Sequence, residues 1–68
     1  MEAITVKDED VDRYVGRKLK VNRGDEEFIG TVSGWVDINN QRRWIIEAEN
    51  DSMYFLPSEG WLVYSLDN

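Results

Sequence analysis

The segment GRKLKVNRG, residues 16–24, is followed after three acidic residues by FIGTVSGW, residues 28–35, and together they form the stretch with the strongest structural signals in the chain. Polar and apolar residues alternate in its first half, which predicts a strand with Leu19 and Val21 facing inward. The residues around Gly24 have the composition of a tight turn, so the second half is interpreted as the return strand of a hairpin. Glycines at positions 30 and 34 inside that strand predict a bulge or a sharp bend.

Three more strands are predicted downstream, within residues 43–48, 53–56 and 61–66, because these segments are rich in β-branched and aromatic residues and are separated by polar turns. Upstream, Asp8 is positioned to cap a helical turn that places Val11 and Tyr14 on one face. Short strands with glycine-marked bends favour a closed barrel over an open sheet. We therefore predict one all-β domain over residues 1–68, a small five-stranded bent barrel with a short N-terminal helical turn.

Residues 16–21, Gly24 and residues 28–35 resemble the first Sm motif, and residues 59–64 are similar to the second. The resemblance implies an SH3-like or Sm-like barrel. It also implies RNA binding through the loop after the second strand and through a basic residue before the late glycine. That position is occupied here by Glu59, so we carry over the fold and not the activity. The predicted small acidic barrel also resembles orphan proteins found in bacteriophage genomes. That resemblance would imply a host or virion protein as partner.

The composition restricts the chemistry available to the protein. The chain has 68 residues with no Cys and no His, so apolar packing must hold it without a disulfide or a usual zinc, haem or iron–sulfur site. Catalysis usually needs a nucleophile or an acid–base pair in a cleft, and a domain this small has little room for one. We therefore predict no enzyme activity, no catalytic residue, no metal and no cofactor.

The first residues lack the basic and apolar regions of a secretory signal, and no apolar run approaches the ~20 residues that would span a bilayer. We therefore expect a cytoplasmic protein with no membrane partner.

The formal net charge of −6 disfavours nucleic acid as the default partner, because cations that neutralise phosphates dominate that affinity. The basic residues are nevertheless concentrated in two segments. In an Sm-like alternative, phosphates would contact them and bases would stack on Trp35 or Trp44. The opposing interpretation, which we favour, is cross-strand pairing with carboxylates such as Glu27, Glu47 or Glu49. A third hypothesis is an acidic mimic of a polyanion that inhibits a nucleic-acid-binding protein. In the Sm-like alternative, the residues that would contact phosphates are Lys18, Lys20, Arg42 and Arg43.

Several large apolar residues fall out of phase with the inward positions of their strands. In one interpretation, the N-terminal segment covers them with Val11, Tyr14 and Val15 as a second small core. In the other, an exposed aromatic patch docks another protein or a second copy of the chain. The out-of-phase residues are Ile29, Trp35, Ile45, Tyr54 and Trp61, and the predicted patch consists of Trp35, Tyr54 and Trp61. The favoured function is a small non-catalytic protein-interaction module with an unidentified protein partner.

Overall fold

A computed structural model describes residues 2–67 of the chain. In that range the chain forms five strands and two short 3-10 helices, labelled β1 to β5, η1 and η2 in chain order. The all-β class, the five strands and the helical turn before the first strand are confirmed. The elements are η1 (Asp8–Arg13), β1 (Lys18–Arg23), β2 (Glu26–Ile38), β3 (Gln41–Glu47), β4 (Ser52–Phe55), η2 (Pro57–Glu59) and β5 (Leu62–Ser65).

The strands form one antiparallel sheet in the order β4-β3-β2-β1-β5. Strands β4 and β5 are its two edges, and no hydrogen-bonded ladder joins them within residues 2–67, so the predicted closure into a barrel is not observed. Side chains approach each other across the gap instead. The rings of Phe55 on β4 and Trp61, just before β5, lie in a T-shaped arrangement with centroids 5.8 Å apart.

The core lies on one side of the bent sheet. Leu19 and Val21 are fully buried there, as the alternation of polar and apolar residues in β1 predicts. Trp44 is also fully buried, with its ring stacked against Tyr14 at 5.6 Å and tilted against Phe55 at the same distance. The buried cluster comprises Val11, Leu19, Val21, Val32, Trp44, Ile46, Phe55, Trp61 and Val63.

The N-terminal segment covers this core and does not form a second one. Val11 of η1 is fully buried in the same cluster, and Tyr14 packs against it. Val15, by contrast, is 45% exposed. The hypothesis of a second small core is therefore wrong, because the 3-10 helix turns only its Val11 side toward the sheet and lies over the face that already holds Trp44.

Strand β2 bends where the sequence predicts it. The register between β2 and β3 shifts between Val32 and Gly34, which is a β-bulge. At Gly30 an added Cβ would lie 2.5 Å from the carbonyl oxygen of Glu47 on β3. A Cβ contact that short is not tolerated, so only glycine allows the backbones to approach this closely.

The role of Asp8 differs from the predicted cap. The Lys7 amide at the start of η1 donates to the carboxylate of Asp10, at 3.0 Å. Asp8 instead accepts hydrogen bonds from the amide of Ser58, at 3.0 Å, and from its hydroxyl, at 2.7 Å. Asp8 therefore ties η1 to η2, which lie 50 residues apart in the chain.

Replacing Asp8 by alanine is expected to lower the free energy of unfolding by about 1 kcal/mol, because two hydrogen bonds to a charged group at a half-buried position are lost. Urea unfolding followed by circular dichroism measures the change. Asp12→Ala is the matched control, since Asp12 is an exposed residue of the same helix. Equal unfolding midpoints for the two variants would contradict the assigned role of Asp8.

Candidate interaction surface

The hairpin of β2 and β3 extends beyond the rest of the sheet. Pairing of β1 with β2 ends at Thr31, and pairing of β4 with β3 ends at Trp44. Residues 36–38 and 41–43 therefore pair only with each other in the described chain. Asn39 and Asn40 at the tip both have positive φ, 53° and 65°, as a two-residue turn of the primed type requires. The hairpin end is a two-stranded arm.

Trp35 lies at the base of this arm with 40% of its surface exposed. The guanidinium of Arg42 lies over its ring, with the central carbon 4.9 Å from the ring centroid. Asp37, directly opposite Arg42 in the register, places a carboxylate oxygen 3.7 Å from the Arg42 Nε. The three side chains share one face of the arm, and the ion pair holds the guanidinium against the indole.

Tyr54 is 54% exposed but lies on the other face of the sheet. It pairs with Ile45, whereas Trp35 belongs to the neighbouring row with Trp44 and Phe55. Because successive residues of a strand point to opposite faces, Trp35 and Tyr54 cannot form one surface.

Trp61 is only 9% exposed and belongs to the core cluster. Its remaining face is covered by the guanidinium of Arg23, 4.5 Å from the ring centroid. The predicted patch of Trp35, Tyr54 and Trp61 is therefore not formed. Trp35 and Tyr54 lie on opposite faces of the sheet, and Trp61 is buried in the core. Trp35 with Arg42 and Asp37 is the arrangement that the structure brings together.

The predicted basic stripe is largely neutralised. Lys20 is within 3.9 Å of Glu27 on the next strand, which is the cross-strand pairing that the sequence favours. Arg43 binds Glu59 at 3.1 Å. In residues 2–67, five of the eight basic side chains each lie within 4 Å of a different carboxylate, and Lys18 is the nucleic-acid candidate outside that set. The paired residues are Arg17, Lys20, Arg23, Arg42 and Arg43.

Trp44 is not available for base stacking in this structure. Its side chain is fully buried, and its Nε1 donates to the carbonyl oxygen of Asp8 at 2.9 Å. The indole therefore has a structural role beneath η1.

Sequence reasoning missed the stacking of cations on aromatic rings. Besides Arg42 on Trp35, the Lys20 amino group lies 4.9 Å from the centroid of Tyr64. Lys20 and Tyr64 are directly paired across β1 and β5. Both residue types were visible in the sequence. Predicting their contact required the strand register, because the register brings residues more than forty positions apart next to each other.

No family model, curated protein or solved structure matches this chain. The fold described above is compatible with a small barrel. Within residues 2–67 the structure contains no enclosed pocket, no group of three or more acidic residues arranged to hold a metal ion, and no helix long and apolar enough to cross a membrane.

Proposed function

We propose that this protein is a small non-catalytic interaction module that docks on a larger protein through the face of the hairpin arm that carries Trp35, Arg42 and Asp37. The observation that carries the proposal is the exposed Trp35 ring held beneath Arg42, which is itself held by Asp37. Tryptophan and arginine are enriched among the residues that dominate binding energy at protein interfaces. Side chains already ordered in the free protein lose less conformational entropy on binding.

The arm's position supports this proposal. Residues 37–42 are all exposed and have no third strand beside them in the described chain. The arm could therefore enter a concave surface of a partner without disturbing the core. We further propose that the bent five-stranded sheet is an SH3-like or Sm-like barrel opened between β4 and β5.

The nucleic-acid alternative is less well supported. Phosphate binding by Lys20, Arg42 or Arg43 would have to compete with Glu27, Asp37 or Glu59. An acidic polyanion mimic is also less well supported, because two carboxylates of η1, those of Asp8 and Asp10, are engaged by groups of the protein itself. Both functions remain alternatives to the proposed module.

Replacing Trp35 by alanine is expected to weaken binding to the partner about 30-fold or more, because an anchoring tryptophan contributes about 2 kcal/mol or more at an interface. The partner is first captured from a lysate of the source organism on immobilised protein. Its affinity for the purified variants is then measured by isothermal titration calorimetry.

Leu62→Ala is the matched control, because Leu62 is an exposed apolar residue, 50% accessible, on the distant strand β5. It is expected to bind like the unmodified protein. Equal affinities for the Trp35→Ala variant and the unmodified protein would rule out the arm as the docking surface.

A further inference from the structure

The two edges of the sheet differ in their protection. At the β5 edge, the amide of Ile4 donates to the carbonyl oxygen of Val63 at 2.7 Å, so the N-terminal segment covers part of that strand. At the β4 edge, no strand lies beyond Ser52–Phe55 in the described chain. An uncovered edge presents backbone donors and acceptors to any extended segment that approaches it.

The register shows which backbone groups of β4 face outward. The Ala48 amide donates to the Asp51 carbonyl at 2.8 Å, which makes residues 48 and 51 a hydrogen-bonded pair. Bonded and non-bonded pairs alternate along an antiparallel ladder. Residues 45 and 54 are therefore a non-bonded pair, and the N–H and C=O of Tyr54 point away from β3. The outward amide of Ser52 is occupied by the Asp51 side chain at 2.8 Å.

The surroundings of this edge are acidic. Glu47 lies directly opposite Ser52 in the register, and Glu49 and Asp51 lie in the turn that leads into β4. All three side chains are exposed, and none of them is within salt-bridge distance of a basic side chain among residues 2–67. An added strand that carried basic side chains would meet complementary charge here.

We propose that the outer edge of β4 binds an extended basic segment of a partner protein by strand addition. The N–H and C=O of Tyr54 would form the central backbone hydrogen bonds, and its exposed ring would contact an apolar side chain of the added strand. Glu47, Glu49 and Asp51 would select for Lys or Arg. This inference rests on the proposed function for the class of partner, but it uses a different surface from Trp35.

A second copy of the chain fits this edge less well. Pairing β4 with β4 would bring two sets of the same carboxylates together on molecules that each carry a net charge of −6. Pairing β4 with β5 of another copy would require removal of Ile4 from Val63. A basic segment of another protein meets neither obstacle.

The test uses an acetylated heptapeptide of alternating lysine and valine as the probe, with the alternating glutamate–valine peptide as its charge-reversed match. Binding is followed by two-dimensional NMR of the full chain labelled with nitrogen-15. We expect saturating lysine–valine peptide to slow hydrogen exchange of the Tyr54 amide at least about tenfold, because that amide becomes hydrogen-bonded. The glutamate–valine peptide is expected to leave it unchanged.

Two changes separate strand addition from simple charge attraction. Tyr54→Pro removes the outward amide and is expected to weaken binding about tenfold, whereas Tyr54→Ala keeps the amide and is expected to stay within about threefold. If Tyr54→Pro fails to fold, the lysine–valine peptide carrying N-methyl groups at alternate residues tests the same hydrogen bonds on the intact protein. That peptide is expected to bind at least about tenfold more weakly than the unmethylated one.

The proposal is overturned if neither peptide binds, if both bind equally, or if the lysine peptide leaves Tyr54 exchange unaffected. It is also overturned if light scattering shows a dimer that Tyr54→Pro abolishes, since the occupant would then be a second copy. Trp35→Ala is expected to leave peptide binding at the β4 edge unchanged. Failure of docking through the hairpin arm can therefore be distinguished from failure of strand addition at the β4 edge.

Discussion

Trp44→Ala is expected to leave the chain unfolded at 25 °C. The indole is fully buried, stacks on Tyr14, packs against Phe55 and donates a hydrogen bond to the Asp8 carbonyl. Truncating a buried aromatic side chain to alanine costs about 3–5 kcal/mol. A single small core supplies about 3–5 kcal/mol of net stability in a domain of this length, so the loss is comparable to the whole.

Far-ultraviolet circular dichroism and urea unfolding measure this outcome. Trp35→Ala is the matched control, because Trp35 and Trp44 are directly paired across β2 and β3 and differ mainly in burial. The control is expected to remain folded and to lose less than about 1 kcal/mol. A folded Trp44→Ala protein with an unfolding midpoint near that of the control would show that Trp44 is not central to the core.

Gly30→Ala is expected to reduce the free energy of unfolding by about 3 kcal/mol, the upper end of the usual overpacking cost. The new methyl group would lie 2.5 Å from the Glu47 carbonyl oxygen and 2.7 Å from its carbon. These are backbone atoms of a β3 residue that is paired with β2 on one side and β4 on the other, so they cannot move aside as a flexible side chain would. The β2 and β3 backbones would have to separate close to the bulge between Val32 and Gly34.

Gly24→Ala separates this steric effect from the general cost of replacing a glycine. Gly24 has φ of 58° in the turn after β1, and an added Cβ there would meet nothing within 4 Å. Its replacement is expected to cost about 1 kcal/mol through backbone strain alone. Urea unfolding gives the midpoint of each variant. If the two midpoints agree within the uncertainty of the fits, the close approach at Gly30 is contradicted.

Much of the fold could be predicted from local sequence signals. The alternation through Leu19 and Val21, the turn residues at Gly24 and the bulge at Gly34 depend on chemistry within a few residues, and the structure contains each of them. The helical turn through Val11 was likewise visible from its spacing. Closure of the sheet was not, because it depends on whether β4 and β5 meet, and no local signal reports the distance between them.

The candidate surface could be predicted only in part. Trp35 and Tyr54 were recognised as out of phase, and both are exposed. Trp61 has the same kind of sequence context but is buried, because η2 and the start of β5 turn it toward Phe55. Arg42 was a phosphate candidate only in the nucleic-acid alternative, and its register position opposite Asp37 places it on the Trp35 ring.

Local sequence signals were sufficient to predict the strands, the turns, the bulge in β2 and the need for a core held by apolar packing. These features follow from side-chain period, backbone preference at glycine and asparagine, and composition, all of which act over short stretches of chain. The folded arrangement was needed to establish which aromatic rings are buried, which carboxylate each paired cation contacts and which sheet edge stays open. These outcomes depend on strand register and on the position of η1, and both bring together residues that lie far apart in the sequence.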